Sequence, residues 1–352
     1  MPEADESLTD TSPAPVGVKL GSTRTIVVQP QGSVLKTHAA LTCLATYEDV
    51  LTGTEQVIYG EDAAREYPEQ VEFMLRSGMP EDEDHTETAA TFFTHFLREH
   101  TVPADSVVVS AMPAIDNERG LANLTRVIED SPIGERRIQR YPESLCGAIP
   151  AVGTGLDALE RTFIALNVGS TTLSACAYRR GEPLTRLTTG TVTGNAVDRW
   201  IATNVEDETQ GRVTIDLTTA REYKETHADF EEFTPFTDLV QQPGGGTHEF
   251  TIEHSVMDAL DRYVNEAVDA IANTFLPQLA NDHLRIYNQT LDEPLVLTGG
   301  MACIPGLRDA FEERLSEALQ QDIDVTAPDD PVTAAARGAQ RIAARFVDTA
   351  AY

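Results

Sequence analysis

Residues Phe163–Tyr178 read FIALNVGSTTLSACAY. An apolar run enters a Gly-Ser-Thr turn and a second β-favouring run leaves it, so the stretch predicts strand, tight turn, strand. Val16–Val28, VGVKLGSTRTIVV, repeats the arrangement near the start of the chain. A glycine followed by hydroxyl residues leaves backbone N–H groups uncovered, and successive N–H groups in a turn form a concavity that suits a phosphate. Gly21-Ser22-Thr23 and Gly169-Ser170-Thr171 are therefore candidates to grip one polyphosphate from two sides. One such turn alone is most often an ordinary hairpin. The duplication is what points to a ligand.

The rest of the composition sets the class. A chain of 352 residues is long enough for two domains, each with its own core. The 57 acidic residues against 26 basic ones give a formal charge of −31, which argues against nucleic acid or an anionic membrane as a direct partner. Lysine is confined to Lys19, Lys36 and Lys224, and the acids are spread along the whole chain. That pattern resembles proteins of salt-loving archaea, where the Debye length falls to about 3 Å in molar salt and self-repulsion is screened. Cys43, Cys146, Cys176 and Cys303 are far apart and form no CxxC pair, so they read as small core residues in a reducing cytoplasm. The eight histidines lack zinc-type spacing, and His95 and His100 read as solvated. No apolar run is long enough to span a bilayer, and the start lacks a basic signal region, so a soluble protein is expected.

Taken in order, Met1–Pro15 is acidic and rich in Ser, Thr and Pro, and reads as a flexible tail. Leu41–Ala45 and Gln56–Tyr59 are short strand candidates, Glu81–Asp84 an exposed loop or helix start, and Thr88–His100 a helix. Ser106–Ala111 is a continuous apolar run of the kind found in a strand covered on both faces. Tyr141-Pro142-Glu143 leads a small-residue helix, and an acid there suits the helix dipole. Thr214–Lys224 predicts a strand followed by a helix start, and Gln242–His248 a glycine-rich loop. Val256, Leu260, Val264, Ala267, Ile271 and Phe275 recur at helical spacing. LVLTGGMACIPGL, Leu295–Leu307, runs from a buried strand through a double glycine into a helix, bringing bare backbone toward a ligand. Neither GxxxxGK[ST] nor GxGxxG is present there.

These motifs together resemble the superfamily of actins, heat-shock chaperone ATPases and sugar kinases, and within it the rod-shape actins of bacteria and the actins of haloarchaea. VKLGSTRT is similar to the first phosphate loop, PESLCGAI to the first connecting helix, NVGSTT to the second phosphate loop and LTGGMACIPGL to the adenosine loop, all in family order. Gly194–Trp200, Thr219–Lys224 and DPVTAAARG also resemble the rod-shape actins. The resemblance implies an α/β fold of two duplicated actin-like (ribonuclease-H-like) domains with a nucleotide cleft between them. Domain I would comprise residues 16–158 and 325–352 with an outer subdomain near 32–84, and domain II residues 159–324 with an outer subdomain near 201–249.

The resemblance also implies ATP in the cleft, a homopolymeric filament as the assembled form, and hydrolysis coupled to disassembly. Few residues follow the last expected helix, so a chaperone's peptide-binding module is not expected, and no phosphoryl-acceptor pocket of a sugar kinase is recognisable. A nonpolymerising nucleotide-binding regulator is the alternative. Position by position, Gly21, Ser22, Thr23, Gly169, Ser170 and Thr171 would meet phosphates. Gly194, Glu222, Lys224, Gly299, Gly300 and Met301 match residues around the rest of the nucleotide, and Glu143 matches the carboxylate that positions the attacking water. The family places an aspartate two residues before each phosphate-loop glycine, where the pair holds waters around Mg²⁺. Here those positions are Lys19 and Asn167. The expectation is that Lys19 reaches a phosphate as a point charge, lessening dependence on Mg²⁺, while Asn167 supplies a neutral hydrogen bond.

Overall fold

A computed structural model describes residues 12–136, 138–241 and 247–350. The chain opens with the hairpin β1 (Ala14–Leu20) and β2 (Arg24–Gln31), followed by β3 (Val34–Leu41), β4 (Leu44–Glu48), β5 (Glu55–Tyr59), α1 (Gly60–Glu66) and β6 (Val71–Glu72). Then come α2 (Glu83–Glu99), β7 (Ser106–Met112), α3 (Glu118–Glu129), β8 (Gln139–Pro142) and α4 (Glu143–Ala148). A second hairpin, β9 (Thr162–Val168) and β10 (Leu173–Arg179), leads to β11 (Glu182–Thr189), α5 (Gly194–Glu208), α6 (Leu217–His227), β12 (Phe236–Gln241) and β13 (Thr247–Ile252). The chain closes with α7 (Ser255–Ala270), α8 (Leu276–Leu291), β14 (Leu295–Thr298), α9 (Leu307–Leu319), β15 (Val325–Thr326) and α10 (Ala334–Ala350).

Two sheets carry the same topology. The first has strand order β3-β2-β1-β7-β8 and the second β11-β10-β9-β14-β15. In each, the hairpin is antiparallel and its first strand pairs in parallel on the other side, with β7 and with β14 respectively. The parallel pairs require long crossovers, which the helices supply. The two matching hairpin turns therefore occupy corresponding places in their sheets.

Helices cover both faces of β1, and alternation along the strand decides how. Val16, Val18 and Leu20 face a core with Phe92, Phe93 and Phe96 of α2 and Leu124 and Ile128 of α3. Each such side chain contributes roughly 1.5–3 kcal/mol when fully buried. On the opposite face Gly17 leaves room for α10, since a Cβ there would lie 2.1 Å from the Ala336 carbonyl. A Cβ on Gly338 would lie 1.9 Å from the Cys146 carbonyl, so α10 also packs backbone to backbone on α4. The alanine- and glycine-rich composition of α10 is what permits both contacts. The core beneath joins Leu145, Ala165, Tyr178, Val296 and Ala339 from α4, both hairpin strands of the second sheet, β14 and α10. A separate core on the second sheet packs Ile164 and Leu166 against Ile201 of α5 and Leu260 and Val264 of α7.

Some local expectations change. Ala14 and Pro15 pair with Ser106 and Val107, so β1 starts inside the stretch expected to be tail, of which residues 1–11 lie outside the described chain. Leu41–Ala45 divides at Thr42-Cys43 into the ends of β3 and β4. No strand precedes α6: Val213 and Ile215 are buried and Thr214 and Asp216 exposed, which mimics strand alternation, but the segment has no strand partner and Asp216 instead caps α6. The helix expected over Val256–Phe275 continues through a π turn at Ile271–Phe275 into α8. Most of the glycine-rich loop at Gln242–His248 lies outside the described residues, and Thr247 opens β13.

Candidate functional site

The two glycine turns are the same four-residue structure. Gly21 N–H donates to the Arg24 carbonyl at 3.1 Å, and Gly169 N–H to the Thr172 carbonyl at 2.9 Å. They face and touch each other: Ser22 Oγ lies 3.2 Å from Thr171 Oγ1, and Thr23 Oγ1 donates to Ser170 Oγ at 2.9 Å. Gly78 N–H donates to Ser22 Oγ at 2.7 Å, fastening the first turn to the segment that leads into α2. The second turn is braced by α5, whose Gly194 and Asn195 N–H groups donate to the Gly169 and Ser170 carbonyls at 3.0 and 2.8 Å. A Cβ on Gly194 would meet Met301 Sδ at 3.1 Å and Ser170 Cα at 3.2 Å, so any larger residue would have to push one of them aside by a few tenths of an ångström. Thr193 caps the helix, accepting from Ala196 N–H.

Both turns line a cavity of about 440 Å³. Its lining includes Lys19, Gly21, Ser22, Thr23, Glu143, Asn167, Gly169, Ser170, Thr171, Gly194, Lys224, Gly300 and Met301. The two turns with their four hydroxyl residues, Lys19, Glu143 and Asn167 make the polar part of this lining. Elsewhere Ala228, Met301, Ile304 and Pro305 supply apolar wall, and the position where Gly300 would carry a Cβ is open. A polar end with an apolar remainder is the usual make-up of a small-molecule site.

Two expected residues sit otherwise. Glu222 is exposed and does not line the cavity. On α6 the lining residues are Arg221, Lys224, Glu225 and Ala228, the i, i+3, i+4, i+7 face, and Glu222 is about 100° around the helix from Arg221. Gly299 lies behind the cavity wall, with φ +98° and a place for Cβ only 2.5 Å from the Val168 carbonyl. It permits close packing of the strand-to-helix turn on β9 rather than facing the space itself.

Each of the two lysines in the lining holds a carboxylate. Lys19 Nζ lies 2.8 Å from Glu143 Oε1, with side chains 15% and 17% exposed. Lys224 is sealed: its ammonium pairs with Asp198 and donates to the Gly194 carbonyl at 3.1 Å, with the Lys224 and Asp198 side chains 7% and 2% exposed. Burial pushes the Lys224 pKa down, and the Asp198 carboxylate opposes that shift. The Gly194–Trp200 motif thus contains the lysine's partner, which the sequence reading did not single out. It also missed Arg24, which lies 3.3 Å from Glu61 and 3.9 Å from Glu225. Cys43, Cys146 and Cys176 are buried as expected, but Cys303, expected in a core, is exposed in the cavity lining.

Asn167 accepts from Thr298 Oγ1 at 3.4 Å. At the two positions expected to hold waters around Mg²⁺ stand an ammonium on a carboxylate and a neutral amide. Lys19 offers a divalent cation no oxygen and Asn167 only an uncharged one, so the two carboxylates expected to hold its waters are not there. Among the described residues no cluster of three His, Cys, Asp or Glu side chains could hold a metal ion. No helix among them is long and apolar enough to cross a membrane.

This architecture is the actin fold. MreB5 of Spiroplasma citri, in a crystal structure bound to AMPPNP, superposes with a TM-score of 0.75 at 15% identity, covering 96% of this chain and 97% of that one. MamK in a double helical filament superposes with a TM-score of 0.75 at 20% identity, covering 94% and 98%. The protein is thus a member of the class of actin-fold proteins. Within that class it belongs to the salactin family, whose sequence profile matches residues 13–347. Salactin of Halobacterium salinarum is 61% identical over 340 residues, covering 97% of this chain and 94% of the relative.

Proposed function

We propose that this protein binds ATP between its two glycine turns and polymerises in the cytoplasm into filaments whose disassembly is driven by hydrolysis. The observation that carries this reading is the pair of Gly-Ser-Thr turns, closed by the same hydrogen bond and touching through their hydroxyls, that line one cavity together with Glu143. The uncovered N–H groups and hydroxyls of the turns would hold the polyphosphate, while Met301 and Ile304 would cover the base. A phosphoryl transition state needs mainly positioning and charge stabilisation, so one oriented carboxylate is a sufficient hydrolytic device. In this reading Glu143 accepts a hydrogen bond from the attacking water and fixes its approach.

The actin fold shared with the MamK filament and with AMPPNP-bound MreB5 supports assembly and nucleotide binding as the first functions to test. The acidic, lysine-poor surface and the Halobacterium relative support molar salt as the working medium. Domain I at residues 16–158 and 325–352 and domain II at 159–324 are proposed as the two bodies that close on nucleotide. Electron microscopy of the purified protein with ATP in molar KCl tests the proposal, and filaments are expected. Monodisperse particles at every nucleotide and salt condition would leave the nonpolymerising regulator, a reading that the replacement of both expected aspartates by Lys19 and Asn167 favours.

A further inference from the structure

Among the cations that line the cavity, Lys19 stands apart. Lys224 is committed to Asp198 and the Gly194 carbonyl, Arg24 spans Glu61 and Glu225, and Arg221 leans on Asp198 at 3.5 Å. Lys19 has one partner, Glu143, and that partner also lines the cavity. Its stem runs along the first turn itself, since a Cβ on Gly21 would meet Lys19 Cε at 3.4 Å. The ammonium therefore sits beside the first turn while it holds the carboxylate. An ammonium on a flexible stem is a point charge with no fixed geometry, so it exchanges one anion for another without rebuilding its surroundings.

We propose that Lys19 is an exchangeable internal counter-ion. In the empty cleft it holds Glu143, and an entering polyphosphate takes the ammonium and leaves Glu143 free to orient water. The inference rests on the nucleotide reading above and adds a regulation to it: the carboxylate becomes available only when a phosphate has replaced it at Lys19. It also makes the charge supplied to the phosphate part of the chain, so a divalent cation is not needed for binding. Two signs follow that a metal-dependent site would not give. Removing divalent ions leaves affinity nearly unchanged, and removing the Glu143 charge tightens binding because the ammonium's competitor is gone.

Isothermal titration calorimetry of the full chain with ADP and with AMPPNP, in molar KCl containing either EDTA or MgCl₂, reads both signs. The wild-type dissociation constant is expected to differ by less than about threefold between the two media, and Glu143→Gln to bind about threefold or more tighter than wild type in EDTA. Lys19→Asp is expected to lose about tenfold or more in EDTA and to regain it with Mg²⁺. Wild-type binding that weakens by more than about threefold in EDTA overturns the inference, as does a Glu143→Gln protein that binds no tighter than wild type. Neither of those arms depends on whether a Lys19 variant folds. Absence of binding in both media overturns the nucleotide reading and this inference together, whereas binding in Mg²⁺ alone overturns only this inference.

Discussion

The turn after β1 and the turn after β9 share a backbone, a closing hydrogen bond and a place in a sheet of the same strand order. They differ two residues before the glycine. Lys19 puts an ammonium against a carboxylate, and Asn167 puts an amide oxygen against the Thr298 hydroxyl. The duplicated backbone supplies neutral donors symmetrically, while the movable charge stands on one copy only. The second half has a lysine too, but Lys224 is locked behind the turn with Asp198. Position relative to solvent separates the two: an ion pair at the edge of a cavity can exchange partners, whereas a sealed one is costly to break.

That contrast can be broken from either side. The largest effect is expected from Glu143→Ala, which should slow phosphate release from ATP by about 10²–10⁴-fold while leaving binding and assembly in place. Filaments would then outlast an ATP pulse followed by light scattering, and unchanged phosphate release would remove Glu143 from the mechanism. Next is Asp198→Asn, which leaves a buried ammonium without its carboxylate and should cost about 3–5 kcal/mol in denaturant unfolding. Lys19→Ala, at the cavity edge, should cost about 1 kcal/mol or less, and equal costs for these two changes would erase the distinction between the pairs.

Effects between those two test the turns. Alanine at Gly21 would bring its Cβ to 2.8 Å from the Arg24 carbonyl, and alanine at Gly169 to 3.0 Å from the Thr172 carbonyl. Each should destabilise by about 1–3 kcal/mol, with Gly21→Ala the larger, and thermal melts of the two variants would rank them. The last effect is that of acid, and it should arise in the first sheet. His38 on the edge strand β3 is buried against Gln29 and stacked 4.4 Å from His100, and burial lowers its pKa from 6.5 to about 4. The unfolded chain takes up the proton first as pH falls below about 6.5, so stability is whole above that pH and is lost toward about 4. The pH slope in that window should flatten in His38→Gln, and an unchanged slope would assign it to other groups.

Much of the site was legible because glycine-hydroxyl turns flanked by apolar runs permit few structures. The two turns, the strand into Gly299-Gly300 and the small-residue helix after Glu143 all follow from local sequence. Helical phase was harder to read. Matching the Thr219–Lys224 motif gave Glu222 and Lys224 together, yet two residues on a helix are about 200° apart and cannot share a face. Counting from Lys224 by three and four would have found Arg221 and Ala228, and four on from Arg221 gives Glu225. The false strand at Thr214 had a similar origin: Val213 and Ile215 fill a core by alternation without any neighbour to pair with. The tertiary partners of Lys19 and Lys224 lay beyond local reading, because each ion pair joins segments distant in sequence.

The placement of α10 bears on how the chain is made. The second sheet draws all five of its strands from Thr162–Thr326, an unbroken segment. The first sheet has its strands by Pro142, but the face of β1 opened by Gly17 is covered only by α10. During synthesis that face stays bare until α10 has left the ribosome. The second half can complete its core first, and closure of the first half is then a late, long-range docking step. Truncation within α10 would leave the first sheet uncovered on that face and prone to aggregation, even though every strand and both glycine turns were intact.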